Sequence, residues 1–142
     1  MFITDILYFL VVCCMSVVPM AHGGGTCPST WLYWNGYCYY VRQVVNSWAD
    51  AESYCQQIAG NNFEGFLASV HSEAENTFIR HNMTHDYSAA WIGLTMDQNS
   101  GVWSWSDGTI IDYQNWDEGN PHGSGCVRFF KSKGKWIDSS CR

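Results

Sequence analysis

The sequence predicts an α+β domain: two short helices flanking small antiparallel sheets, with a long irregular loop, stapled by disulfides. Three observations predict it. Aromatic strand patterns bracket tight turns toward both ends, two capped amphipathic stretches lie between them, and seven cysteines stand in 142 residues. Lys and Arg total 7 against 13 Asp and Glu, so a nucleic-acid partner is not expected, because phosphates demand a basic face. Aromatics at 16% argue against intrinsic disorder, which needs low hydrophobicity.

Residues 1–23 read as a secretory signal. Ile6 to Val18 is almost wholly apolar, and Ala21 and Gly23 occupy the small-residue positions that signal peptidase reads. Cleavage is expected after Gly23, leaving one domain over 24–142, secreted and extracellular, with no membrane insertion of the mature chain. No Lys or Arg precedes the run and Asp5 is acidic. An uncleaved anchor is the alternative, and a run this short without a basic flank speaks against it. Cys13 and Cys14 leave with the signal. Cys27, Cys38, Cys55, Cys126 and Cys141 remain, an odd number in a compartment where disulfides persist.

Each element then follows in order. Trp31 to Trp34 and Tyr37 to Val41 bracket Asn35-Gly36, a strong hairpin signal. Ser47 to Ala59 reads as a helix, with Ser47 and Asp50 at its start, Gly60 at its end and an apolar stripe of Trp48, Ala51, Cys55 and Ile58. Phe66 to Val70 is a short apolar strand. Ser72-Glu73-Ala74-Glu75 is a capping box opening a second helix, with Ala74, Phe78 and Ile79 facing inward. Trp91 to Leu94 is a buried strand. Val102 to Gly108 places Trp103 and Trp105 on one face before an Asp-Gly turn. Asp112 to Gly125 is a long Gly- and Asn-rich loop, and such loops in compact domains usually carry function. Cys126 to Phe130 and Lys135 to Ile137 close the chain as two strands.

Together these landmarks resemble the C-type lectin-like domain. Cys27-Pro28 with Trp31 and Cys38-Tyr39 looks like the family's N-terminal hairpin. Ser47-Trp48-Ala49-Asp50-Ala51-Glu52 with Cys55 looks like its first helix. Leu67 to Ser72 with Glu75-Asn76 looks like the start of its second, and Trp91-Ile92-Gly93-Leu94 like its diagnostic core strand. Trp103 to Gly108, Asn115-Trp116, Cys126-Val127 and Trp136-Ile137-Asp138 with Cys141 complete the set. The resemblance implies disulfides Cys27–Cys38 and Cys126–Cys141. A staple closing a loop of about fifteen residues contributes roughly 3 kcal/mol in the chain-entropy model. It also implies that Cys55 pairs with a cysteine on a last strand, and that strand is missing after Arg142. Three readings of Cys55 stand: an incomplete chain, a bridge to a second chain as a disulfide-linked dimer, or an unpaired buried thiol.

In the family's sugar-binding members the long loop holds Ca²⁺. Calcium takes six to eight oxygen ligands. Position by position, Asn120 stands where a Glu or Gln is expected, Pro121 matches a proline that follows a cis bond, and His122 stands where Asn or Asp is expected. No acid precedes Cys126, and Ile137 replaces an Asn of the later triplet, leaving Asp138. Asn120 and Asp138 are the metal candidates, and one amide with one carboxylate is too few for tight binding. Asp117 or Glu118 would complete a weak, remodelled site, and Asp97 matches an acid of the family's auxiliary calcium site. Asn120, Pro121, His122, Glu118, Trp116 and Asp138 are the candidate ligand-binding residues. Trp48, Trp91, Trp103 and Trp105 read as core.

Two binding functions follow: carbohydrate recognition with a degenerate calcium site, and calcium-independent recognition of an extracellular protein. Arg128, Lys131, Lys133, Lys135 and Arg142 are a candidate face for an acidic partner, with lysine protection of a sheet edge as the plainer reading. No catalytic motif is present, and His81 and His85 read as surface residues rather than a zinc pair. Asn82-Met83-Thr84 is an N-glycosylation sequon.

Overall fold

The computed structural model describes residues 10–16, 27–43, 47–60, 63–83 and 88–142, with the side chains of 10–16 and 42–43 left aside. The strands are β1 (Leu10–Ser16), β2 (Leu32–Trp34), β3 (Tyr37–Gln43), β4 (Glu64–Leu67), β5 (Ala89–Met96), β6 (Trp103–Trp105), β7 (Cys126–Phe130) and β8 (Lys135–Ser139). The helices are α1 (Trp48–Ala59), between β3 and β4, and α2 (Glu73–Asn82), between β4 and β5. The strand order is β2-β3-β1-β5-β7-β8, with β4 on β1 and β6 on β5. The pairings are antiparallel except β1 with β5, which is parallel at Leu10↔Ala90 and Val11↔Trp91. β1 therefore joins what would otherwise be two small antiparallel sheets.

The turn chemistry is as the sequence dictates. Asn35 (φ 46°) and Gly36 (φ 91°) both take positive φ between β2 and β3, which a two-residue hairpin turn of the right twist requires. Ser47 and Asp50 form a complete capping box on α1. On α2 only half the expected box forms. Ser72 accepts from Glu75 N, but the Glu75 carboxylate turns away to His71 N (2.7 Å) and the Tyr39 hydroxyl (2.5 Å). The inward face of α2 also shifts. Ala74 is exposed, while Glu75, Asn76 and Ile79 are buried and Phe78 packs at the core margin. Buried Asn76 is satisfied at both ends, donating to Gly134 O (2.9 Å) and accepting from Trp136 Nε1 (2.9 Å).

Strand boundaries move modestly. β4 ends at Leu67, and Ala68 to Val70 are buried outside it. The N-terminal segment also enters the sheet. Leu10–Ser16, read from its composition as signal, forms β1 and pairs with β3 over seven positions from Leu10↔Gln43 to Ser16↔Tyr37. A short apolar run suits a leader and a buried strand equally.

The core forms two main clusters. One gathers Tyr39, Ile79, Ile92, Trp105, Phe129 and Trp136. The other holds Ala51, Cys55, Leu67, Trp91 and Cys126 under α1, with Trp31 and Trp48 packed against it. The structure forms Cys27–Cys38 and Cys126–Cys141. Cys55 is also disulfide-bonded, which corrects the reading of an unpaired thiol and of a dimer bridge through it.

Candidate functional site

The long loop is built on β8. Along β8 the side chains alternate, so Trp136 and Asp138 are buried while Ile137 is half-buried. Trp136 anchors the loop's first half. Its N–H donates to Asn115 O (2.9 Å), its carbonyl accepts from Asp117 N (2.8 Å), and Trp116 forms an isolated parallel bridge with it. The indole of Trp116 meets Trp103 edge-on at 5.2 Å and Trp136 at 5.9 Å, while its Nε1 donates to Gln114 (2.8 Å). Trp116 thus holds the loop down instead of standing out as a stacking platform. Tyr113 packs on Trp136 at 5.7 Å, and its hydroxyl donates to Glu73. Burial, and then that carboxylate, push the Tyr113 phenol well above its ordinary pKa.

A turn with Asn120 N donating to Asp117 O (3.0 Å) leads into the cis Asn120–Pro121 bond. Asp117 is ion-paired with Lys133 at 2.8 Å, which holds its carboxyl below the usual range. Asp138 then organises the second half. Its Oδ1 accepts from His122 N (2.9 Å) and its Oδ2 from Ser124 N (2.6 Å). Burial acts to raise the Asp138 pKa. The amide hydrogen bonds from Ser124, His122 and Gly123 outweigh it, so the net shift is downward. The loop closes where Met96 N donates to Gly125 O (2.8 Å).

The structure thus brings Asn120, Pro121, His122 and Asp138 together, with Glu118 exposed beside them and Trp116 beneath. Sequence reasoning missed the amides of His122 and Ser124, which carry no residue signature, and Lys133, whose partner lies sixteen residues away.

The matching family model is that of the lectin C-type domain, over residues 44–142. The chain belongs to the C-type lectin family. It is 34% identical to the lithostathine of Rattus norvegicus, over 94% of this chain and 90% of that one. Among solved structures, a calcium-independent type II antifreeze protein aligns with a TM-score of 0.74 at 29% identity, covering 84% of this chain and 89% of that one. The cow CD23 carbohydrate-recognition domain, solved with a GlcNAc2Man3 oligosaccharide, aligns with a TM-score of 0.71 at 33% identity, covering 82% and 87%.

Calcium is a ligand of many C-type lectin domains, so the residues must be tested against it. Each Asp138 oxygen already accepts one amide N–H group, which leaves it a single further lone pair for any ion. Asn120 Oδ1 is buried with no hydrogen-bond partner, a single oxygen available to a ligand. His122 offers nitrogen, which calcium disfavours. Asp97 spends Oδ1 on the Asn99 and Ser100 amides and the Ser100 hydroxyl of its own turn. Among the described residues no group of three or more His, Cys, Asp and Glu side chains is placed to hold a metal ion. The donor set does not fit calcium.

The basic cluster is dispersed rather than presented as one face. Arg128 lies over Trp91 at 5.7 Å, Lys131 donates to Met83 O (2.6 Å), Lys133 holds Asp117, and Lys135 holds Asn115 (2.5 Å). These four cations each hold a contact within the domain, as the plainer reading of them expects, and Arg142 is exposed at the chain end. Asn82 ends α2 half-buried, with its amide donating to Phe78 O (2.8 Å). His85 lies outside the described residues. C-type lectin domains are binding modules, and this chain is one rather than an enzyme.

Proposed function

We propose that this C-type lectin domain is a secreted recognition module that binds carbohydrate through its long loop without calcium. The observation that carries the reading is the engagement of both Asp138 oxygens by backbone amides. These bonds order residues 122–124 from within the chain, a task a bound ion would otherwise perform. A calcium-independent antifreeze protein with the same fold supports the idea that the scaffold can hold its loop without the ion. Glu118, Pro121 and His122 are exposed on the loop and form the contact surface, with the free Asn120 Oδ1 beside them. Export through residues 1–23 and glycosylation at Asn82 belong to the same reading.

A protein ligand is the second reading. It is favoured by the exposure of Val102 (60%) and Ile110 (74%), apolar side chains that a glycan would use poorly. A glycan array of the full chain, run with Ca²⁺ and with EDTA, tests both. Glycan binding that survives EDTA supports the proposal. Binding that EDTA abolishes overturns the calcium-independent reading, and no binding from a folded chain turns the search to protein partners.

A further inference from the structure

A cavity of about 390 Å³ shares no residue with the 112–125 loop. Its walls come from the β2–β3 turn, β4, the start of α2 and the turn after β6. Trp34, Tyr37 and Phe66 supply aromatic surface, and Glu64, Glu75 and Asp107 supply carboxylates. The volume lies within the range of small-molecule sites, about 300–1,000 Å³. No Lys or Arg lines it.

The polar groups are held rigidly. Asp107 Oδ1 accepts from the Thr109 amide (2.9 Å) and hydroxyl (2.6 Å), while Oδ2 accepts from the Ser69 hydroxyl (2.5 Å). His71 is fixed between Asp112 (2.7 Å, Nδ1) and Ser69 (3.0 Å, Nε2). Asp107 is the nearer acceptor for the Ser69 proton, so His71 does not activate the serine as a nucleophile. Glu75 is 5% exposed and fixed by Tyr39 and His71 N. Glu64 has no ion-pair partner among the described residues. Asp107 Oδ1 is filled by its two Thr109 bonds, while Asp107 Oδ2 and both Glu75 oxygens each keep a lone pair beyond these partners.

We propose that this cavity is a second ligand site, which takes a compact primary ammonium group. Three carboxylates with no Lys or Arg among the lining residues, and with the lining His71 paired to Asp112, favour a cation, and the three N–H donors of an ammonium suit acceptors around a small space. The aromatic rings attract the same charge through their faces and cover the ligand's apolar part. An amino sugar and a free alkylamine share this chemistry.

The test is an amide NMR titration of the full chain with D-glucosamine, N-acetylglucosamine and n-butylamine. Glucosamine should shift the amides of Asn35, Ser72 and Thr109 and leave residues 119–125 unmoved. N-acetylglucosamine, with the same ring and no charge, should bind at least tenfold more weakly. Butylamine binding as well as glucosamine makes any compact amine the ligand, and butylamine failing makes it the amino sugar. Glu64→Gln, on an exposed β4 position, should weaken binding about tenfold, roughly one charge-assisted hydrogen bond. Equal binding of the two sugars, shifts confined to 119–125, or no shift with any amine would overturn the proposal.

Discussion

At the residue scale, two buried carboxylates behave in opposite ways. Asp138 is held below its ordinary pKa, so its contribution to stability is present at neutral pH and lost as pH falls through the folded-state value. Asp138→Ala removes both acceptors of the loop amides and should cost about 1–3 kcal/mol. Urea denaturation gives the cost, and faster hydrogen exchange at His122 and Ser124 locates it. Glu52 is the reverse case. It is buried with Oε2 accepting from Leu67 N (2.8 Å) and Ser106 Oγ (3.2 Å), and desolvation raises its pKa above the ordinary 4.5. Its contribution is full below the unfolded value and is lost as pH rises through the folded one. Glu52→Gln keeps an acceptor without the charge. The melting temperature of this variant should therefore gain on the parent's from about pH 4 to about pH 7. A parallel pair of melting curves over that span would refute this. The metal candidates were legible residue by residue because side-chain type decides what calcium accepts. The amides that bond to Asp138 were not legible, since every residue but proline carries one.

At the element scale, local chemistry spoke clearly wherever it acted alone. The Asn35-Gly36 turn and the Ser47–Asp50 box depend on neighbours within three residues, and both stand as the sequence implied. α2 was misread because its burial pattern is set from a distance. Glu75 and Asn76 point inward only because Tyr39 and Trp136, 36 and 60 residues away, supply partners. The α1–β4 contact depends on Gly65. A Cβ there would stand 2.1 Å from Cys55 O and 2.7 Å from Ala59 Cβ, and backbone atoms of a helix cannot yield cheaply. Gly65→Ala should cost about 1–3 kcal/mol by overpacking, measured by chemical denaturation. A variant as stable as the parent would show that α1 rides on β4 more loosely than this contact implies.

At the scale of the whole molecule, both chain ends converge on α1. Cys141 O accepts from Trp48 N (2.9 Å), and β1 lies between β3 and β5. Deleting residues 1–23 uncovers the backbone of β3, β4 and β5 along the shared strand. Under the proposed export the mature chain begins at Gly24, so that chain should fold to a monodisperse monomer melting no lower than the full chain, read by calorimetry and light scattering. Melting well below the full chain, with association through the edges of β3, β4 and β5, would instead make β1 part of the folded domain and overturn the reading of residues 1–23 as a leader. Composition favours a leader over Ile6 to Val18, while pairing with three other strands is a property of the assembled sheet that composition does not carry. Finally, the Trp103–Trp116–Trp136 arrangement makes the long loop optically visible. Indoles set edge-to-face at these separations couple their electronic transitions, and only Trp116 belongs to the loop. Lifting the loop would quench the near-ultraviolet dichroism of the cluster while the strand signal in the far ultraviolet stays, so the molecule reports in light whether its ligand face is seated.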